Sequence, residues 1–477
     1  MKESKITELI RGLTQSEFRK FGEFLNSPFH NKSHMLITFY NLIDRQFENL
    51  DSNTVSVKNI ALKLFEGEKN KDQNVRTLLS SFTKILEKFL IYGEYEKYPT
   101  QQKIALIKAL EVRNINKSFE AALKEIDENL RIEFNRNADY YYDLLTFKEI
   151  ELNYEGVDFE LNLDRKYFEM ADFADNMFIV TKLKVINTML SRKLHSFQEV
   201  QDKFWAFDKM LSYIEKNADV IQKDHPTVYS EYKILMMVLK PEIESHFRDL
   251  EKHVYFNIKK YNKEELLQVY YSLTNYCINR FAIGETKFQS SMMKIYSEFE
   301  KNDFYKDFKN MQYYDFLNVI LCAIDFKDLQ WAEYFYETYK GNLSHEIKRD
   351  TTNLAKGLLL FAERKYKDSI DFLSKVSYKN THSYLKIKET LIKIYYEQKH
   401  FDTIEATIDA VIHYLKRHQE TLNVHYNRYM LFLQSVKRII MINVKDKTEI
   451  KLFMKDLDKT RDMIGRDWLI EKLIEMK

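Results

Sequence analysis

Glycine and proline are scarce in this chain. Nine glycines and four prolines serve 477 residues, less than a third of ordinary usage. Sheet proteins need Gly, Pro and Asn-Gly turns at their reversals. The shortage therefore argues against all-β and α/β architectures and predicts an all-α fold. No two glycines lie closer than ten residues apart, which leaves no phosphate-cradling loop. GxxxxGK[ST], GxGxxG and GxSxG are all missing from the sequence. The chain is longer than one compact core usually holds, so several packed units are expected. Aromatic residues at 14% fill a large core, and charged residues at 31% keep the surface wet. Lys and Arg number 74 against 72 Asp and Glu, a net charge of +2. Such a balance argues against an obligate nucleic-acid binder.

The first thirteen residues, MKESKITELIRGL, carry a charge every few positions and lack the apolar stretch of a signal peptide. The longest apolar runs, at 234–239 and 357–362, are too short to span a bilayer. Cys277 and Cys322 sit inside apolar helical patterns. They read as buried free thiols of a reducing cytoplasm, with no disulfide framework.

Along the chain, Thr14 and Glu17 form a capping box, with Leu13 and Phe18 at the staple positions. Phe18, Phe21 and Leu25 then share a face, and Ser27-Pro28 ends the helix. Ser33 reads as the cap of a second helix carrying Leu36, Phe39, Tyr40, Ile43 and Phe47. A third begins near Asp72, and a boundary is placed before Pro99. Helices continue to Tyr261, with Pro226 and Pro241 at first-turn positions and a loop at 154–164. Three units result: an N-terminal helical unit at 1–98, a middle unit at 99–261 and helical repeats at 262–477.

The repeats are helix pairs at 263–281 with 287–301, 308–325 with 328–340, 350–363 with 366–376, and 383–398 with 401–417. Each second helix opens with a bulky residue followed three positions later by a usually small one: Phe288/Ser291, Leu329/Ala332, Tyr366/Ser369 and Phe401/Ile404. A period of about 35–41 residues on paired helices marks a helical solenoid. The small residue lets neighbouring helices approach closely.

The stretch GLLLFAERKYKDSI at 357–370 resembles a tetratricopeptide repeat. Gly357 stands at the small position of its first helix, and Tyr366 and Ser369 at the matching positions of its second. Arg364 replaces the usual turn glycine, and Ile404 the small residue of the next repeat. The resemblance covers roughly the C-terminal third of the chain and implies a tetratricopeptide-like α-solenoid behind an N-terminal helical cap. More broadly, LNSPFHNK at 25–32, LSSFTKILEKFL at 79–90, NYC at 275–277, DFKDLQWA at 325–332 and LIKIYYE at 391–397 resemble an uncharacterised family of bacterial all-helical proteins. That family implies a fold and no activity.

Few residues offer chemistry. His30 and His34 are four apart, but Asn31-Lys32-Ser33 between them reads as a turn and nothing completes a ligand set. No metal or other cofactor is expected. Scattered carboxylates identify no acid–base pair, and a chain with few loops is not expected to be an enzyme. Lys416, Arg417, Arg428, Lys437, Arg438, Lys445 and Lys447 stand against Glu420 and Asp446, interleaved with Tyr414, Tyr426 and Tyr429. This 414–447 stretch is either a solvated face or a basic surface for RNA backbone or an acidic partner. Asn275, Asn318 and Asn353 each lie in the first helix of a successive pair. Asparagine is a poor helix former, so these residues either hold an extended peptide or hydrogen-bond between helices. Lys386, Glu389, Lys393 and Glu397 charge one side of a helix whose other side is apolar, whereas 358–361 is apolar all round.

The expected function is a non-catalytic cytoplasmic scaffold or adaptor that binds a protein or peptide along a concave repeat face. Asn318, Asn353, Lys386, Lys393, Tyr396 and Arg428 are its candidate contacts. The alternatives are a nucleic-acid-associated regulator using 414–447 and a peptide-sensing switch. No membrane association is expected.

Overall fold

A computed structural model describes residues 5–45, 47, 57–154, 163–192, 197–308, 310–377, 381–422, 424–442, 446–460 and 462–476. Among them there is no strand, and one β-bridge pairs Met311 with Leu343. The protein is all-α. The expected loop at 154–164 lies largely outside the described residues.

The chain divides into two compact units, one of residues 1–133 and 139–175, the other of 134–138 and 176–477. The first contains α1 (Lys5–Arg11), α2 (Gln15–Asn26), α3 (His34–Asp44), α4 (Val57–Leu64), α5 (Lys71–Tyr95), α6 (Pro99–Val112), α7 (Asn116–Ile132) and α8 (Ala138–Tyr154). Helix α9 (Leu163–Ser191) supplies residues to both units. The second continues with α10 (Phe197–Lys203), α11 (Phe207–Lys216), α12 (Ala218–Asp224), α13 (Pro226–Leu239), α14 (Glu244–Asn257), α15 (Lys263–Ala282), α16 (Lys287–Lys301), α17 (Tyr313–Asp325) and α18 (Leu329–Tyr339). It ends with α19 (His345–Ala362), α20 (Tyr366–Leu373), α21 (Thr381–Glu397), α22 (Phe401–Arg417), α23 (Gln419–Leu422), α24 (Val424–Met441), α25 (Lys447–Lys459) and α26 (Arg466–Glu475). The sequence boundaries at 98 and 261 both fall inside these units.

In the first unit, Thr14 Oγ1 accepts from the Glu17 amide at 3.2 Å while the Glu17 carboxylate accepts from the Thr14 amide at 2.7 Å. That is the expected capping box, and it fixes the start of α2. Ser27, extended at ψ 122°, ends the helix before Pro28. Ser33 departs from expectation, because its side chain caps nothing. Asn31 organises the turn instead, accepting from the Ser33 amide at 2.8 Å and donating to the Leu25 carbonyl at 3.1 Å. The apolar faces of α1–α5 close on one another around Phe18, Phe21, Phe39 and Phe82.

In the second unit, helices come as hairpins: α13 with α14, α15 with α16, α17 with α18, α19 with α20, and α21 with α22. The last four match the expected pairs, with α17 starting later than 308 and α19 earlier than 350. Pro226 sits in the first turn of α13 as expected. Pro241 does not: it lies in the turn before α14, where its carbonyl accepts from Tyr276 at 2.7 Å. The hairpin turns share one geometry. Lys327, Arg364 and Lys399 adopt φ of 63°, 62° and 61°, and Gly284 takes the same place at 89°. In each, the following amide reaches back five residues, as in Lys365 to the Leu360 carbonyl at 2.9 Å.

The small positions act as the sequence predicts. A Cβ on Gly357 would lie 2.6 Å from Leu373 Cδ2, and Ser369 Oγ donates to the Gly357 carbonyl at 2.7 Å. Ser369 and Ala332 are fully buried; Leu358, Leu359 and Leu360 are buried and Phe361 is half-buried.

Candidate functional site

First helices pack on one another from α13 to α15, from α17 to α19 and from α19 to α21, but α15 and α17 make no comparable contact. Where they part, a cleft of about 930 Å³ opens. Its walls come from the end of α9, from α13, and from the inner faces of α15 and α17. Along α15, Gln268, Tyr271, Asn275 and Asn279 face it; Asp315 and Asn318 face it from α17. The spacing of three and four residues puts the α15 group on one stripe.

The buried edge of the cleft is polar. Asn187 donates to Glu231 Oε2 at 2.8 Å and to the Glu231 carbonyl at 2.9 Å, and Gln268 donates to the same carboxylate at 3.2 Å. Lys184 pairs with the neighbouring Glu265 at 3.3 Å. Burial pushes the Glu231 carboxyl up to about 7, against the pull of Asn187 and Lys184. Asp315 accepts from the Tyr271 hydroxyl at 2.9 Å, and burial pushes it up to about 6. By contrast Asn275, Asn279 and Asn318 make no hydrogen bond to any described residue. Their amides are turned to the cleft with donor and acceptor both free.

The expected contact residues divide between two places. Asn318 lines the cleft with Asn275; Asn353, half-buried on α19, does not. Lys386 and Lys393 lie elsewhere, in an ion cluster on α21. Glu389, 3% exposed, accepts from Lys386 at 3.1 Å and from Lys393 at 2.5 Å. Burial would raise the Glu389 carboxyl, but the two ammonium groups outweigh it and hold it down to about 2. The Lys393 side chain is 12% exposed and lies over the Phe432 and Trp468 rings. The open, charged surface expected here is thus mostly internal, with Glu389 paired to both lysines. Tyr396 packs edge-on to Trp468, with ring centres 5.1 Å apart.

Three of the seven basic residues of the stretch are matched by acids from other helices and turns. Arg428 pairs with Asp462, Lys437 with Asp409 at 3.0 Å, and Arg438 with Asp456 at 2.9 Å. Lys416 and Arg417 are exposed, and Lys445 lies outside the described residues. His30 stacks on Phe24 at 3.8 Å. Among the described residues no group of three His, Cys, Asp or Glu side chains is placed to hold a metal ion. Cys277 and Cys322 are buried and free. No described helix is long and apolar enough to cross a membrane.

Sequence reasoning missed Asn187, Glu231, Gln268, Tyr271 and Asp315. One signal was present: Glu231 is the one acid in the largely apolar and aromatic stretch PTVYSEYKILMMVL at 226–239, a helix buried almost along its whole length. No family model matches this chain, and no curated protein or solved structure matches it significantly.

Proposed function

We propose that this chain is a non-catalytic cytoplasmic scaffold that binds an extended protein segment. Its C-terminal helix pairs form a tetratricopeptide-like solenoid, and the first helices line the binding face. The observation that carries this reading is the set of free amides in the cleft, Asn275, Asn279 and Asn318. A side-chain amide offers one donor group and one acceptor, the same pair that a peptide backbone presents. Amides gathered along one cleft therefore bind main chain without demanding a particular side chain. The paired state of Arg428, Lys437 and Arg438 supports protein over nucleic acid as the partner.

The test is selection of displayed peptides on the full chain. The selected peptides should bind with weak salt dependence and raise the melting temperature. Asn275→Ala with Asn318→Ala should weaken them about thirtyfold, at about 1 kcal/mol for each of two lost hydrogen bonds, and leave the melting temperature of the free protein unchanged. Failure to select any peptide would overturn the reading, and a steep salt-dependent affinity for RNA beside it would put a nucleic-acid partner in its place.

A further inference from the structure

Asp315 is a buried carboxylate lining the cleft that the described residues leave half-satisfied. It is 5% exposed, and its hydrogen bond from Tyr271 occupies Oδ2 only. Oδ1 has no partner among the described residues, yet it is not one of the sealed, unpaired polar atoms of the interior. It is therefore reachable from the cleft. No lysine, arginine or histidine among the described residues offsets its charge. Arg192 also lines the cleft, but it is exposed and exerts no resolved pull on Asp315. The other charges nearby are paired. Glu231 has Asn187, Gln268 and Lys184, and Arg280 is paired with Glu285.

A buried carboxylate without a counter-charge costs stability. The first turn of α17 softens that cost, since Asp315 is its third residue, but no cation completes the pair. Tyr271 and Tyr314 stand beside it, and aromatic faces favour a cation. We infer that the cleft takes a peptide segment carrying a lysine or arginine, whose cationic head pairs with Asp315 Oδ1 while Asn275 and Asn318 hold the adjoining main chain. This rests on the peptide-binding reading above and gives it a side-chain preference.

The test uses the full chain and random nonapeptide libraries. Peptides selected on the wild type should be enriched in Lys or Arg at one position. Those selected on Asp315→Asn should lose that enrichment, and Tyr271→Phe, which removes the hydroxyl on Oδ2 and keeps the ring, should keep it. A selected peptide resynthesised with acetyl-lysine should bind the wild type about tenfold more weakly or worse, the loss of a charge-assisted hydrogen bond. That arm needs no variant and stands if Asp315→Asn fails to fold. Peptides that bind with no cationic preference, or that tolerate acetylation, overturn the Asp315 assignment and leave peptide binding in place. If no library yields a binder, the peptide-binding reading falls and the assignment falls with it.

Discussion

Glu231 and Glu389 are both buried glutamates, and their neighbours send them in opposite directions. Glu231 has amides around it and a second carboxylate, Glu265, nearby, so burial wins and its pKa rises to about 7. Glu389 has two lysines, so attraction wins and its pKa falls to about 2. The consequences for stability have opposite signs. The raised Glu231 contributes stability that is fully present below its unfolded value and is lost as pH rises through 7. The depressed Glu389 contributes stability present above its unfolded value and lost as pH falls toward 2. Glu231→Gln should therefore stabilise the protein at pH 8, by up to about 3 kcal/mol, and give no gain at pH 4. Urea unfolding at the two pH values checks this. Lys393→Glu should be severe, costing about 3–5 kcal/mol, because it breaks a buried pair and sets two carboxylates together. A melting temperature unchanged by Lys393→Glu would mean that the Glu389 cluster is solvated. Little of this was legible in the sequence. In a chain this rich in charge, a carboxylate signals nothing until its burial is known, and Lys386 and Lys393 looked like surface charge because Glu389 was counted with them on an open face.

At the scale of the helix, the sequence was legible where chemistry marks the position and illegible where it does not. Thr14 with Glu17 and Ser27 with Pro28 announced the ends of α2 because each signal has a local cause. Gly357 and Ser369 announced the close approach of α19 and α20, since only small residues fit there. Pro241 misled because proline suits a turn as well as a first helical position. Most hairpin turns carry no glycine to mark them: Lys327, Arg364 and Lys399 hold the left-handed conformation that glycine usually takes. They are exposed, and the Schellman hydrogen bonds around them use main-chain atoms only. A left-handed non-glycine residue costs about 1 kcal/mol. Arg364→Gly should thus raise stability by about 0.5–1 kcal/mol, with Lys327→Gly and Lys399→Gly alike, even though glycine has more unfolded-state entropy to lose. Thermal melts of the three variants and their combination check it. A drop in melting temperature in all three would mean that the side chains, not the turn conformation, hold these corners.

For the whole molecule, the placement of the cores decides which pieces of chain stand alone. The faces of α1–α5 form one closed apolar cluster, from Ile6 to Leu86. A fragment of residues 1–98 should accordingly keep its helices and melt cooperatively. Residues 262–477, although they hold the recognisable repeats, should fare worse. Their core begins earlier in the chain, with Ile234, Met237, Phe247, Leu250, Val254 and Ile258 buried among the side chains of α15 and α16. Phe247 stacks on Tyr276 at 4.9 Å and meets Phe288 edge-on at 5.7 Å. Arg248 donates to Ser291 Oγ at 2.9 Å. Starting the chain at 262 strips these groups away and exposes the face they covered, at about 1.5–3 kcal/mol for each large apolar side chain. The repeat pattern could not show this, because α13 and α14 complete the same hairpin without carrying its residue signature. Circular dichroism melts and dye binding to exposed apolar surface test the pair of fragments. The 262–477 fragment should bind dye and melt well below the intact chain, and 1–98 should do neither to the same degree. If 262–477 melts as high as the full protein, then Phe247 and its neighbours cover the repeat core without stabilising it.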